Sequence, residues 1–210
     1  MDKKYWSKYY SEQNNNLKPS AFARYILEII PPKSERLIEL GCGNGRDAVF
    51  FANEGFEVLA IDQVESEIKF LSYRYQQLEN LHLLCADFTD CLINEKFDVV
   101  YSRFTLHSIS KKHQHKVLSW AYDILNPNGS LCIEVRGQKN ELYKLGEPVE
   151  CEPDAYILND HFRRFINFNE LCDELKGLGF ELTFAKEGKG FARYRGTNET
   201  FIRIVAKKVV

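Results

Sequence analysis

The sequence predicts an α/β domain, a mostly parallel sheet with helices on both faces, and three observations predict it. Short apolar runs alternate with longer helical patterns along most of the chain, the order of βαβ units. The apolar run ending at Leu40 enters the glycine-rich turn Gly41-Cys42-Gly43-Asn44-Gly45, and a helical pattern follows. Acidic residues, Asp62 and Asp87, close the next two apolar runs, at the strand ends where open α/β sheets bind ligands.

The elements follow in order. Residues 2–30 read as a helix in two pieces, broken at Asn14-Asn15-Asn16 and Pro19; Ser20 caps the second piece and Pro31-Pro32 stops it. Residues 36–40 form a strand and 47–53 a helix closed by Gly55. Further strands are predicted over 56–61, 81–85 and 97–101, with a polar helix over 65–78. A helix over 112–125 is stopped by Asn126-Pro127-Asn128-Gly129, a strong turn signal, before a strand over 130–135. Residues 136–165 hold Gly137, Gly146, Pro148 and Pro153 and read as an irregular insert; a loop that long in a compact domain is usually a lid or a binding element. A helix over 169–178 ends at Gly179, and strands over 180–186 and 200–207 close the chain as a hairpin. One domain, 1–210, is expected, with an N-terminal helical cap over 1–30 and a lid insert over 136–165.

Composition narrows the class. The 210 residues are 44% hydrophobic and 28% charged, values of a globular chain with one real core. A net charge of −2 supplies no basic field for nucleic acid. The six cysteines form no C-x-x-C pair, and no histidine stands at zinc-finger spacing, so neither a metal nor a disulfide framework is expected. His113 and His115 fall two apart on a helix and do not share a face. No apolar signal core and no run long enough to span a membrane is found, so a cytoplasmic location is expected.

The glycine turn carries most of the information. Its glycines permit positive φ and leave the backbone bare, and the helix behind offers free N–H groups to an anionic or polar ligand. The dinucleotide fingerprint G-x-G-x-x-G does not fit, because Arg46 stands at its third glycine; this argues against a nicotinamide oxidoreductase. Instead Glu39-x-Gly41-x-Gly43-x-Gly45 resembles the nucleotide-binding loop of the class I, Rossmann-like S-adenosylmethionine (SAM) methyltransferases. The element order is similar to that fold over nearly the whole chain, which implies a seven-stranded sheet with an antiparallel C-terminal strand. The G-C-G-N-G-R turn and the run Tyr101-Ser102-Arg103-Phe104-Thr105-Leu106-His107 are similar to small bacterial methyltransferases of the tellurite-resistance and surface-polysaccharide-associated types. The resemblance implies SAM as cofactor, S-adenosylhomocysteine as product and, for the second type, a place in polysaccharide biosynthesis.

Candidate cofactor residues follow from both readings. Asp62, with Gln63 beside it, can accept the two ribose hydroxyls, or be an ordinary strand-end turn former. By resemblance, Asp87 receives the adenine amino group and Phe88 packs on the ring. Glu39, a carboxylate in an apolar strand, is costly unless bonded and would orient the loop amides or face the cofactor's ammonium. Arg46 can meet the cofactor carboxylate or pair with an acid nearby, and Asp47 suits a helix N-terminus. Cys42, Asn44 and Ser102 complete the loop and its neighbour strand. Tyr5, Trp6, Tyr9 and Tyr10 either pack an amphipathic helix or cover the sulfonium by cation–π attraction.

The acceptor site is expected beyond the fourth and fifth strands, at Arg103, His107, His161, Arg163 and Arg164, with Arg136, Arg193, Tyr194 and Arg195 nearby. Arginine-rich loops on a chain that is not basic point to a small anionic acceptor, phosphorylated or phosphonate-like. His107 or His161 could serve as base to a neutral hydroxyl. In the competing account these arginines only pair with insert acids such as Glu147, Glu150, Glu152 and Asp154. A silent SAM-binding partner protein is the alternative of another class.

Overall fold

The computed structural model describes residues 3–12, 18–32, 35–90, 93–193 and 196–209. Asn14-Asn15-Asn16, Tyr194 and Arg195 lie outside the described residues, as do the side chains of Tyr9 and Tyr10.

Four parallel strands start the sheet, β1 (Arg36–Leu40), β2 (Glu57–Asp62), β3 (Leu81–Cys85) and β4 (Phe97–Arg103). They are followed by β5 (Leu125–Val135) and, after an insert, by β9 (Phe180–Gly188) and β10 (Phe201–Lys208). The order across the sheet is β3-β2-β1-β4-β5-β10-β9. The last strand slots between β5 and β9 and runs antiparallel to both. The seven strands and the antiparallel ending agree with the sequence expectation.

Two core clusters lie on opposite faces, and alternate residues of β1 divide between them: Leu37 goes to one and Ile38 to the other. The Leu37 side packs α2 (Ala21–Ile29), α3 (Arg46–Asn53) and α4 (Glu65–Arg74). The Ile38 side packs α5 (Lys111–Ile124) and α6 (Phe168–Gly177). Strands buried on both faces read as unbroken apolar runs, which is why the central strands were legible. Ser20 caps α2, its side chain accepting from Ala23 N–H at 2.9 Å.

Two expectations need correction. The Asn126–Gly129 turn lies inside the bounds of β5: Phe97 pairs with Leu125 and Val99 with Ser130, so the turn bulges out of a strand that resumes the same pairing. The insert is not irregular. It contains a separate antiparallel sheet, β6 (Glu147–Pro148), β7 (Ala155–Leu158) and β8 (His161–Arg164). Short strands interrupted by glycine, proline and positive φ at Asp154, Asn159 and Asp160 hide the alternation that marks a strand.

An ion cluster ties the sheet's late strands together. Glu134 of β5 is fully buried and accepts from Arg103 Nε at 2.9 Å and from Arg203 Nη2 at 2.6 Å. Arg203 also lies over the rings of Phe22 and Phe191. Glu134→Gln leaves two buried guanidinium groups without their counter-charge and is expected to cost about 3–5 kcal/mol of stability. Urea unfolding measures this; a loss under about 1 kcal/mol would show that the cluster is not a structural tie.

Candidate cofactor and acceptor site

The glycine turn crosses from β1 onto the end of β2. Ile61 O accepts from Gly41 N–H at 2.8 Å and from Cys42 N–H at 2.9 Å. Asp62 Oδ2 accepts from Gly43 N–H and Oδ1 from Val64 N–H, each at 2.9 Å. Gly43 and Gly45 have φ of +54° and +74°, and α3 starts at Gly45 without a side-chain cap. Bare backbone does not everywhere mean room for a ligand. A side chain on Gly41 would begin 2.6 Å from Thr105 Cγ2, and one on Gly45 2.7 Å from Leu71 Cδ2. At these two positions a side chain would crowd Thr105 and Leu71, and φ of +71° and +74° favours glycine as well.

Burial pushes the Asp62 carboxyl up, against the pull of the Val64 and Gly43 amides. Glu39 is pushed up further, first by burial and then by Asp47, with Arg46 and Arg103 opposing. Its Oε2 is buried and has no hydrogen-bond partner among the described residues. Asp47 is spoken for: it accepts from Ser20 N–H at 2.7 Å and Tyr101 O–H at 2.9 Å, locking α2 and β4 to α3. Arg46 Nε lies 3.9 Å from Asp47.

Asp87 Oδ1 accepts from Thr89 N–H at 2.9 Å and Thr89 O–H at 2.7 Å, the turn role expected of a strand-end acid. It also lines a cavity of about 410 Å³ with Ser108, Ile109, Ser110, His113 and Phe162. Phe88 is 2% exposed and belongs to the α5 side of the core. Ser102 Oγ lies 2.5 Å from Thr105 Oγ1, directly under the glycine turn. Gln63 offers its carbonyl to Cys85 Sγ at 3.9 Å.

The N-terminal helix α1 (Lys3–Glu12) reaches the insert. The Tyr5 ring stacks on His161 at 4.0 Å and 14°, and Trp6 meets the same imidazole edge-on at 5.1 Å.

The family model for a methyltransferase domain matches residues 10–184. The chain belongs to that family. It is a SAM-dependent methyltransferase with the Rossmann-like fold. A ubiquinone biosynthesis O-methyltransferase of Rickettsia canadensis is 28% identical over 170 residues, 78% of this chain and 68% of the relative. A probable SAM-dependent methyltransferase TehB of Haemophilus influenzae is 25% identical over 144 residues, 67% of this chain and 50% of the relative. A solved SAM-dependent methyltransferase of Methanosarcina mazei superposes with a TM-score of 0.75 at 17% identity, covering 88% of this chain and 97% of its own. The resemblance to small bacterial methyltransferases thus has a counterpart in the Haemophilus influenzae protein. In the methyltransferase described here no helix among the described residues is long and apolar enough to cross a membrane.

The acceptor candidates divide. Arg164 is a structural pin: it donates to Ile109 O at 3.1 Å and to Gln114 Oε1 at 2.5 Å, fastening β8 to the start of α5. Its Nε also lies 3.6 Å from Glu152, as the competing account required. Arg103 is held by Glu134. Arg163 donates to Leu158 O at 3.0 Å and bonds the Tyr5 hydroxyl; among the described residues no carboxylate pairs with it. Arg136 bonds Asn140 Oδ1 at 2.9 Å and pairs with Glu199. His107 is buried near Arg136, His161, Arg163 and Arg164.

His107 is not suited to be a base. Its Nδ1 accepts from the Arg136 backbone N–H at 3.4 Å, a donor that cannot reverse. The neutral ring therefore carries its proton on Nε2 and offers a donor there. Burial pushes its pKa well down, and the cationic neighbours push the same way. Sequence reasoning did not find Ser108, Ile109 or Phe162 beside Asp87, because a 3-10 turn (Leu106–Ser108) and β8 meet there only in the fold. Nitrogen NMR of labelled histidine should find His107 neutral and Nε2-protonated down to about pH 6, below the ordinary midpoint near 6.5. A folded pKa below the unfolded one means that stability falls as pH drops through the unfolded value. Titration near 6.5 would restore His107 as a base.

Proposed function

We propose that this methyltransferase moves the methyl of SAM to a small anionic acceptor held at Arg163, with His107 as a neutral hydrogen-bond donor. The observation that carries the reading is Arg163, a half-buried guanidinium without a carboxylate among the described residues. Burial disfavours its charge and Arg136 repels it, while Tyr5 and Glu199 offset part of that. A part-buried cation with no paired carboxylate is costly, and an anionic ligand lowers that cost. Arginine's planar fork matches carboxylate or phosphate.

The buried Glu39 Oε2 and the bare glycine turn fit SAM. Asp62 uses one lone pair of each oxygen on backbone amides and keeps others for the ribose hydroxyls. Asp87, which lines the 410 Å³ cavity, receives the adenine amino group in this reading. Tyr5 and Trp6, seated on β8, cover the cofactor's methionyl end and bring the insert with them as a lid. SAM supplies a methyl already activated by its sulfonium. The chain contributes proximity and orientation, which can be worth up to about 7–11 kcal/mol. An acceptor that arrives as an anion needs no base, which agrees with the His107 tautomer. A surface-polysaccharide acceptor has no counterpart in the names of the three relatives above, so the acceptor class rests on Arg163 alone.

Asp62→Ala is expected to weaken S-adenosylhomocysteine more than about tenfold, since charge-assisted bonds are worth about 1.5–3 kcal/mol each. Calorimetry on a folded variant with unchanged affinity would remove Asp62 from the site. Arg163→Gln should leave that affinity within about twofold and lower the affinity for inorganic phosphate at least about tenfold, the weight of one charge-assisted contact. Phosphate binding equal in both proteins would favour the account in which these arginines only hold the lid.

A further inference from the structure

Helix α1 joins two rims of the site. It packs beside α4, with Lys3 in electrostatic reach of Glu65, the first residue of that helix. α4 begins just past Asp62, whose carboxylate holds the glycine turn and Val64 N–H. Two residues beyond Lys3, α1 meets β8 of the insert. There the Tyr5 ring stacks on His161 at 4.0 Å, and Trp6 stands edge-on to both rings, 5.3 Å from Tyr5 and 5.1 Å from His161. α1 thus bridges the β2 side of the site and the insert.

Strand alternation says which side of the insert α1 meets. Along β8, His161 and Arg163 share one face, and Phe162 and Arg164 the other. Arg164 is bonded to Ile109 and Gln114, so its face is turned to α5. The His161 and Arg163 face is turned to α1. Tyr5 touches both of its residues: the ring stacks on His161, and the hydroxyl oxygen accepts from the Arg163 guanidinium. A second acceptor, Leu158 O, takes Arg163 Nη1 at 3.0 Å. These two bonds set the direction of the fork.

α1 itself is lightly held. None of its described residues is buried, and none belongs to either core cluster; Tyr5 and Trp6 are only half-buried. A helix of ten residues is marginal without tertiary support. Its docking is therefore a separate equilibrium that a ligand can shift. With α1 lifted, Arg163 loses the Tyr5 hydroxyl and regains rotamer freedom, so an anion on Arg163 favours the docked state. SAM covered by Tyr5 and Trp6 favours the same state. Two ligands that prefer one state of a shared element strengthen each other, and by the same factor.

We propose that Tyr5 is a positioning residue that couples the two ligands: its hydroxyl aims the Arg163 fork at the acceptor anion while α1 is closed over SAM, so that cofactor and acceptor bind with positive cooperativity. The inference rests on the readings of the glycine turn as the SAM site and of Arg163 as the anion site, and its test separates all three. S-adenosylhomocysteine is titrated calorimetrically into the intact protein with and without saturating inorganic phosphate, at matched ionic strength. Phosphate should tighten S-adenosylhomocysteine at least about fivefold, and S-adenosylhomocysteine should tighten phosphate by the same factor. Tyr5→Phe keeps the stacking ring and removes the hydroxyl, and the two ligands should then affect each other by less than about twofold. Ser7→Ala, at an exposed position of the same helix, should keep the full coupling.

Ligands that bind the intact protein independently overturn the coupling, and so does full coupling in Tyr5→Phe. Equal loss in Tyr5→Phe and Ser7→Ala overturns it too, because it marks a general disturbance of α1. Absence of phosphate binding with S-adenosylhomocysteine present would overturn the anion site at Arg163 and the coupling with it. Absence of S-adenosylhomocysteine binding would overturn the SAM site. Both differ from the case in which each ligand binds and neither affects the other.

Discussion

The bond from Gly43 N–H to Asp62 Oδ2 is the constraint on which the site depends. A parallel sheet brings the ends of β1 and β2 side by side, but the turn after β1 has no regular partner for its amides. Ile61 O takes two of them and the Asp62 carboxylate a third. The turn is thereby fixed before any ligand arrives, which lowers the ordering cost of binding. The same carboxylate also holds Val64 N–H, at the start of α4. One side chain therefore positions the loop, the helix behind β2 and, on the reading above, the ribose. Burial raises its pKa, so the ionised form is held against a desolvation penalty by backbone donors.

Charge near the site is sorted by depth. Asp47 and Glu134 are spent on the scaffold, binding α2 to β4 and β4 to β10. Arg164 is spent likewise on carbonyls and Gln114. Among the described residues, Glu39 Oε2 and Ser108 Oγ are buried without a hydrogen bond, and Arg163 has no paired carboxylate. A positioned donor or acceptor that the scaffold does not consume is what a bound zwitterion or anion can use at no reorganisation cost. The clustering of arginines pointed to a region; their individual partners separate those spent on the scaffold from those that are not.

Legibility in the sequence followed locality. The parallel core was readable because Leu37, Ile38, Val58, Val99 and Val100 are apolar in unbroken runs buried on both faces. The Ser20 cap was readable because its bond closes within three residues. The β6–β8 sheet was not, because its strands are short and its turns use left-handed residues such as Asn159 and Asp160 that also mark loops. Gly45 shows a subtler limit. Its spacing and the need for positive φ were legible, but the crowding by Leu71 of α4 was not, since no local pattern announces it. The fates of Arg103 and Arg164 were equally invisible, since Glu134 and Gln114 lie 31 and 50 residues away along the chain.

The claim at the centre is that a turn of alternating glycines pinned by Asp62 builds a site for SAM and not for a dinucleotide. Isothermal titration of the intact protein with S-adenosylhomocysteine and, separately, with NAD tests it most directly. Saturable one-to-one binding of the sulfur nucleoside with no heat from NAD is the expected result. Tight NAD binding with no response to S-adenosylhomocysteine would contradict it.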